Sequence, residues 1–361
     1  MNYDKMLCML DFIFSWFTHD MGIDLGTCNT LVTVLGKGIV IREPSAVARH
    51  KKTKEIIAIG KSAKKMIGKT PALIEVIRPL KDGVIADFDA TEAMVTHYIQ
   101  EVHQSHGLIP KIPKPKVVIG IPSGVTEVER KAVQDVAIMA GARKAYLIEE
   151  PMAAAIGIDL PINEPGGILL VDVGAGTSEI AVISLGGIVL QRCLRVAGDE
   201  MDEAVVNFMR LKYSILIGEQ TAEEIKIQLG SAFPPPAGGS IKEKQLVVRG
   251  RDLETGLPKS IKIGTAEIRE AIAPIIRQIV EEISEVIEET PPELISDIVN
   301  RGIVLCGGGA QLAGLDKLIA EETKMPVWIA DDPMTAVVRG CGKVLEDESL
   351  LKRVRVTGGL R

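Results

Sequence analysis

Aromatic side chains are nearly missing from this sequence. Six phenylalanines, four tyrosines and two tryptophans make 3% of 361 residues, although 46% are hydrophobic. The core must therefore be aliphatic, built from Ile, Val, Leu, Ala and Met. Cysteine is scarce as well. Cys8, Cys28, Cys193, Cys306 and Cys341 are odd in number, far apart and never in a CxxC pair, which argues against zinc or disulfide frameworks and fits a reducing cytoplasm. There is no basic stripe of any length. The net charge is −6, and the only basic cluster is the tail Lys352, Arg353, Arg355 and Arg361, read as solvated, so no nucleic-acid partner is expected. Charged residues at 25% and 35 glycines are those of a globular protein and exclude disorder, collagen and coiled coil for the whole chain. The length allows two to three domains.

Five of the aromatics fall in the first 17 residues: Tyr3, Phe12, Phe14, Trp16 and Phe17. The run MLCMLDFIFSWF at 6–17 is too short to span a bilayer, and it lacks the positive start and small-residue cleavage site of a secretory signal. Asp4, Asp11, Ser15 and Thr18 recur at helical spacing and leave a broad apolar face with Leu7, Leu10, Phe12, Phe14, Trp16 and Phe17. The expectation is an amphipathic helix lying in a membrane interface. The alternative is a helix packed on the protein's own body or on a partner. The segment is acidic, so insertion must be apolar.

The rest of the chain repeats itself. Gly22-Ile-Asp24-Leu-Gly26-Thr27-Cys28-Asn29, a β-rich run, Gly36-Lys-Gly38 and another β-rich run are matched by Val171-Asp172-Val-Gly174-Ala175-Gly176-Thr177, a β-rich run, Gly186-Gly187 and another. Each is a β-meander. Farther on, KVVIGIP at 116–122, a helix and a strand ending in EEPMAA at 149–154 are echoed by GIVLCGGG at 302–309, a helix and DDPMTA at 331–336. Two pairs in the same order predict an internal duplication. Apolar strands such as ILLVDV read as buried on both faces, and isoleucines at 268, 272, 275, 279, 283 and 287 mark one face of a long helix, with Pro274 near its start as a possible kink. The fold class predicted is α/β, two duplicated halves with a cleft between them. The expected organisation is a segment 1–20, a first domain 21–165 with an insertion at 48–82 and completed by 340–361, and a second domain 166–339 with an insertion at 201–265.

A polyphosphate held between two halves needs backbone N–H donors, which Gly-rich turns present at close range. The turns at 26–29 and 174–177 each follow an aspartate at a strand end. Asp24 and Asp172 are therefore candidates to hold Mg²⁺ through water, since Mg²⁺ dehydrates reluctantly. A single Asp-x-Gly can merely close a hairpin; two in equivalent repeat positions point to a ligand. Gly68-Lys69-Thr70 resembles the end of a P-loop, but Ala63 stands where that motif needs glycine, so it reads as a surface turn. Gly174-Ala-Gly176 is followed by a strand, so a dinucleotide fingerprint fails. Gly307-Gly308-Gly309-Ala310, between a strand and a helix, suits phosphate or the close approach of a flat ring. Glu149 or Glu150 is placed to orient a water toward a γ-phosphate, and the repeat position favours Glu150.

Taken together, GIDLGTCNT, PLKDGVIADF, LIEEPMAAAIG, VDVGAGTSEIAVISLGG, AGDEMDEAV, TPPELISDI and LCGGGAQLAGLD resemble the MreB family of bacterial actin-like cytoskeletal proteins, from about residue 21 to about 346. The wider superfamily holds actin, DnaK-type chaperones and sugar kinases. The resemblance implies an actin-like fold and an ATP-hydrolysing protein that polymerises with itself, lies on the inner face of the cell membrane, works with the cell-wall elongation machinery and maintains rod shape. It implies Mg²⁺–phosphate roles for Asp24 and Asp172. Gly26, Thr27, Cys28 and Asn29 fall in one phosphate loop and Gly174, Ala175, Gly176 and Thr177 in the other, Thr177 and Asp172 serving hydrolysis beside a water-positioning Glu150. Gly307, Gly308, Gly309 and Ala310 fall beside the adenosine, and Glu223 and Lys226 at the adenine nucleoside. Two residues depart from the family pattern. Cys28 replaces Ala, a small-for-small change. Ala175 replaces Gly, which would cost about 1 kcal/mol or more if the position needs a positive φ. The family binds membrane by an N-terminal helix or an apolar loop; Leu108-Ile109 is a candidate for the second route, or else a buried anchor. A sugar kinase would need an acceptor motif, and none is found. A chaperone ATPase would need a peptide-binding domain, for which the expected last helix leaves no room.

Overall fold

Strands with no polar position must be covered on both faces, and the all-buried runs here become the centres of two sheets. The computed structural model describes residues 18–104, 113–234 and 244–356. The chain divides into two compact units, Met1–Ile162 with Thr335–Arg361, and Asn163–Met334.

In the first unit, β1 (Met21–Leu25), β2 (Asn29–Val34) and β3 (Gly38–Pro44) form an antiparallel meander. A small three-stranded sheet follows from β4 (Val47–His50), β5 (Ile56–Ile59) and β6 (Ile74–Ile77), with the one-turn helix α1 (Lys61–Lys64) inside it. The Gly-Lys-Thr run follows that helix as a turn, with Gly68 at φ 73° and the Lys69 N–H on the Met66 carbonyl. A hairpin of β7 (Leu80–Lys81) and β8 (Val84–Ile85) leads to α2 (Phe88–His103), whose first turn is capped by the Asp87 carboxylate accepting the Ala90 N–H. Then come β9 (Lys116–Ile121), α3 (Glu127–Met139) with a Thr126/Glu129 capping box, β10 (Lys144–Glu149) and α4 (Glu150–Gly157). β9 and β10 add in parallel, giving the order β10-β9-β1-β2-β3.

The second unit repeats this plan. β11 (Ile168–Val173), β12 (Ser178–Ser184) and β13 (Gly187–Leu194) form the meander. Its insertion holds α5 (Gly198–Tyr213), β14 (Ile215–Leu216), α6 (Glu219–Leu229), β15 (Gln245–Asp252) and β16 (Pro258–Gly264). After α7 (Thr265–Glu289) and α8 (Pro292–Arg301) come β17 (Ile303–Cys306), a 3-10 turn at Gly309–Gln311, α9 (Leu315–Thr323) and β18 (Val327–Ile329). The order β13-β12-β11-β17-β18 is that of the first sheet. Even the irregularity recurs, between Val32 and Thr33 in one meander and Val182 and Ile183 in the other. The chain then returns to the first unit through α10 (Ala336–Glu346) and α11 (Glu348–Val354).

Both cores are aliphatic except for one ring, Tyr98 of α2, which is buried in the first. In the first, Met21, Ile23, Val32, Ile119 and Leu147 meet Met94, Val95 and Ile99 of α2. In the second, Leu169, Val171, Val182 and Leu305 meet the apolar stripe of α7. That stripe is Ile268, Ile272, Ile276, Ile279, Ile283 and Val286; Ile275 and Ile287 are only partly buried. The difference from the expected series is geometric: the stripe mixes steps of three and four to average 3.6 residues, and Ile275 and Ile287 fall at the two margins of the face it marks. Pro274 lies inside α7, which continues through it.

Candidate functional site

Residues that share a strand end share a neighbourhood, and each sheet gathers its candidates at the end of its first strand. In the first unit Asp24 lies near the end of β1, opposite Gly120 of β9. The turn after it is tight. A Cβ on Gly26 would stand 2.6 Å from the Asn29 carbonyl oxygen, so no side chain fits there. The turn is also pinned from outside: Ser45 Oγ donates to the Gly26 carbonyl at 2.6 Å, the Ser45 N–H donates to the Cys28 carbonyl at 2.9 Å, and Thr27 Oγ1 accepts the Gly83 N–H at 3.1 Å. Glu150 opens α4, and its Cγ stands 3.4 Å from where a Gly120 Cβ would lie. Asp24 and Glu150 are thus brought together around Gly120.

In the second unit Asp172 occupies the equivalent position on β11, opposite Cys306 of β17. It is buried, and burial pushes its carboxyl pKa up to about 6, with the hydrogen bond to Cys306 pulling the other way. The turn at 174–177 closes with the Gly174 N–H on the Thr177 carbonyl at 2.8 Å. Ala175 is not among the residues with positive φ, so the alanine carries no left-handed strain. Gly307 does have a left-handed φ of 81°, and a Cβ on it would stand 2.2 Å from Asp172 Oδ1. Gly309 is equally confined, its would-be Cβ 2.3 Å from Val173 Cγ1, whereas Gly308 has only Met334 Cγ at 4.0 Å. Ala310 is fully buried as a whole residue and belongs to the core.

Lys226 of α6 is drawn to this turn. Its Nζ donates to the Gly198 carbonyl at 2.7 Å and pairs with Asp202 at 2.9 Å. Gly198 in turn lies against Ala175, and the Asp199 N–H donates to the Ala175 carbonyl at 2.8 Å. Burial pushes the Asp202 carboxyl up to about 6 despite Lys226 beside it, with Glu223 and Asp199 adding to the rise. Glu223 sits one helical turn before Lys226 on α6. Ser45, Gly83, Gly120, Gly198, Asp202 and Cys341 were not singled out by sequence reasoning. The AGDEMDEAV motif carries Gly198 and Asp202, but nothing in it points to Lys226.

Among the described residues, no group of three or more His, Cys, Asp or Glu side chains converges as a metal cage. One carboxylate per strand end instead suits a cation held mainly by water and phosphate oxygens. The buried Asp172 fits such an ion, which would favour its charged form. Leu7, Leu10, Phe12, Phe14, Trp16, Phe17, Leu108 and Ile109 lie outside the described residues. The described chain on either side of them meets: Thr18 Oγ1 and the His19 N–H both reach His103 Nε2, at 3.1 and 3.0 Å, one residue before Gln104. No helix among the described residues is long and apolar enough to cross a membrane.

Comparison with known proteins gives one answer. The sequence model of the MreB/Mbl protein family matches residues 18–353. The cell shape-determining protein MreB of Escherichia coli strain K12 is 49% identical over 334 residues, covering 91% of this chain and 94% of that protein. The cell shape-determining protein Mbl of Bacillus subtilis strain 168 is 44% identical over 341 residues, 94% of this chain and all of that protein. Among solved structures, MreB5 of Spiroplasma citri bound to ADP superposes with a TM-score of 0.85 at 37% identity, covering 93% of this chain and 98% of that one, and an AMPPNP-bound form matches at 36% identity. A MamK double helical filament shares the fold, with a TM-score of 0.76 at 22% identity over 91% of this chain and 99% of that one.

Proposed function

The chain belongs to the MreB/Mbl family, and from that premise we propose that it is an actin-like cytoskeletal protein that binds and hydrolyses ATP, assembles into filaments on the inner membrane face and organises cell-wall synthesis to maintain rod shape. The observation that carries this reading is the repeated turn: an Asp-x-Gly at the same register of two sheets of one topology, with no room for a side chain at Gly26 and close confinement at Gly174.

Each turn offers its backbone to phosphate oxygens at a range that Gly26 and Gly174 permit. Mg²⁺ held through water by Asp24 and Asp172 would neutralise charge on those oxygens. Glu150 orients the attacking water, a positioning role in a reaction whose catalysis is mostly positioning and electrostatics. Gly307 and Gly309, where no Cβ fits, shape the backbone beside the nucleoside, and Gly308 lies on the open side of that turn. Lys226 and Glu223 flank it on α6; an ammonium carries three donors, and its two bonds to Asp202 and Gly198 do not exhaust them.

Filament contacts that favour one nucleotide state make assembly and nucleotide binding reciprocal. Residues 6–17 supply apolar attraction to the bilayer, with Leu108-Ile109 as a second contact, and His103 anchors the described ends of both segments at one place. The test is pelleting with ATP and vesicles. Wild type is expected to sediment with nucleotide and Asp172→Ala to stay in the supernatant; a wild-type chain that stays monomeric with ATP and lipid overturns the reading.

A further inference from the structure

We propose that Cys341 is a positioning residue for the two carboxylates of the first unit, Asp24 and Glu150. It holds the backbone they hang from without touching a ligand itself. This role rests on the hydrolytic reading above and names a further residue that it needs.

Cys341 lies on α10, which packs beneath β1 and β9. Its Sγ donates to the Ile23 carbonyl at 3.8 Å, the carbonyl of the peptide that leads into Asp24. A Cβ on Gly22 would stand 2.8 Å from Cys341 Cβ, so strand and helix are in direct contact. At Gly120, opposite Asp24, the space a Cβ would fill is bordered by Val337 Cγ1 at 2.8 Å, Glu150 Cγ at 3.4 Å and Cys341 Sγ at 4.0 Å. The thiol and the Glu150 side chain therefore share one small space. Next to Cys341, Gly340 presses on α4, its would-be Cβ 1.8 Å from the Ala153 carbonyl, so the same helix also sets α4, which Glu150 opens.

The chemistry suits the place. Cys341 is fully buried, and burial favours the protonated form of a thiol. It stays neutral. A neutral thiol is a weak donor already directed at a backbone carbonyl, so it fills the space without competing for carboxylate oxygens that water and metal must use. A smaller side chain leaves a gap that lets both carboxylates shift, and a branched one crowds Gly120.

The test is ATP turnover and nucleotide affinity of the full chain, with thermal stability followed alongside. Cys341→Ala is expected to lower kcat about tenfold with nucleotide affinity unchanged, since small misplacements cost rate steeply. Cys341→Ser, which keeps a small donor for the Ile23 carbonyl, should recover most of that loss. Should Cys341→Ala fail to fold, Cys341→Thr, which adds bulk toward Gly120, should show the same split between kcat and affinity. Val344→Ala, an equally buried position on α10, should melt earlier yet turn over as wild type. Turnover of Cys341→Ala at the wild-type rate, or a loss of rate in step with Val344→Ala, overturns the role. A wild-type chain that binds ATP without hydrolysing it overturns the hydrolytic reading and this role together, and is told apart by the wild-type measurement alone.

Discussion

Two adjacent glycines offer a sharp contrast at the proposed nucleoside site. Gly307 has φ 81°, and a Cβ on it would lie 2.2 Å from Asp172 Oδ1 and 2.4 Å from the Val173 carbonyl oxygen. Gly308 has helical φ −65° and ψ −35°, and its Cβ would meet only Met334 Cγ at 4.0 Å. In Gly307→Ala the left-handed backbone costs about 1–2 kcal/mol, and overpacking against backbone and a buried carboxylate adds roughly 1–3 kcal/mol. The carboxylate that must move is the one proposed to hold Mg²⁺. If about 2 kcal/mol of the total falls on the site, nucleotide affinity drops on the order of thirtyfold. Gly308→Ala should bind within about twofold of wild type, an ordinary surface effect below ~0.5 kcal/mol. Titration with a fluorescent ATP analogue, together with denaturant midpoints, separates lost binding from lost folding. Equal affinity and equal midpoints for Gly307→Ala and wild type would refute the reasoning, as would equal damage from both variants.

Glu150→Ala should slow phosphate release while nucleotide still binds; loss of binding would mean that the residue has another role. Deleting residues 1–19 should abolish co-sedimentation with liposomes, and unchanged sedimentation would move the membrane contact to Leu108-Ile109 or elsewhere. Asp202 gives a pH dependence. Its folded pKa of about 6 lies above the unfolded value near 3.8, so the folded state holds the proton more tightly and stability falls as pH rises from about 4 to 6. The stability difference between wild type and Asp202→Asn should therefore change by ~2 kcal/mol across that window, read from urea midpoints at pH 4 and pH 7; a constant difference would contradict the assignment.

The fold class was legible because the signals were local and came twice. ILLVDV and SEIAVIS are buried at every position, and the EEPMAA and DDPMTA echo marks the turn after the last strand of each sheet. The two copies still differ in detail: α4 starts at once at Glu150, whereas Pro333–Thr335 first makes a 3-10 turn. What was not legible depends on closure of the chain in space. Nothing near Lys226 in sequence announces Asp202, Gly26 does not announce Ser45, and the Cys341 bond to Ile23 joins opposite ends of the chain. Ala175 shows a second limit. Its cost depended on φ, which composition does not give, and the structure removes it. The stripe on α7 shows a third, since every isoleucine looks equally apolar while helical geometry decides which of them is buried.

The central claim is that nucleotide bound at the paired aspartate turns drives filament assembly on membrane. Electron microscopy of the purified protein with ATP and lipid vesicles tests it most directly. Filaments lying on vesicles for wild type, and none for Asp172→Ala, are the predicted result. Bare vesicles with wild type at high concentration and saturating ATP, or equal filaments with Asp172→Ala, would contradict it.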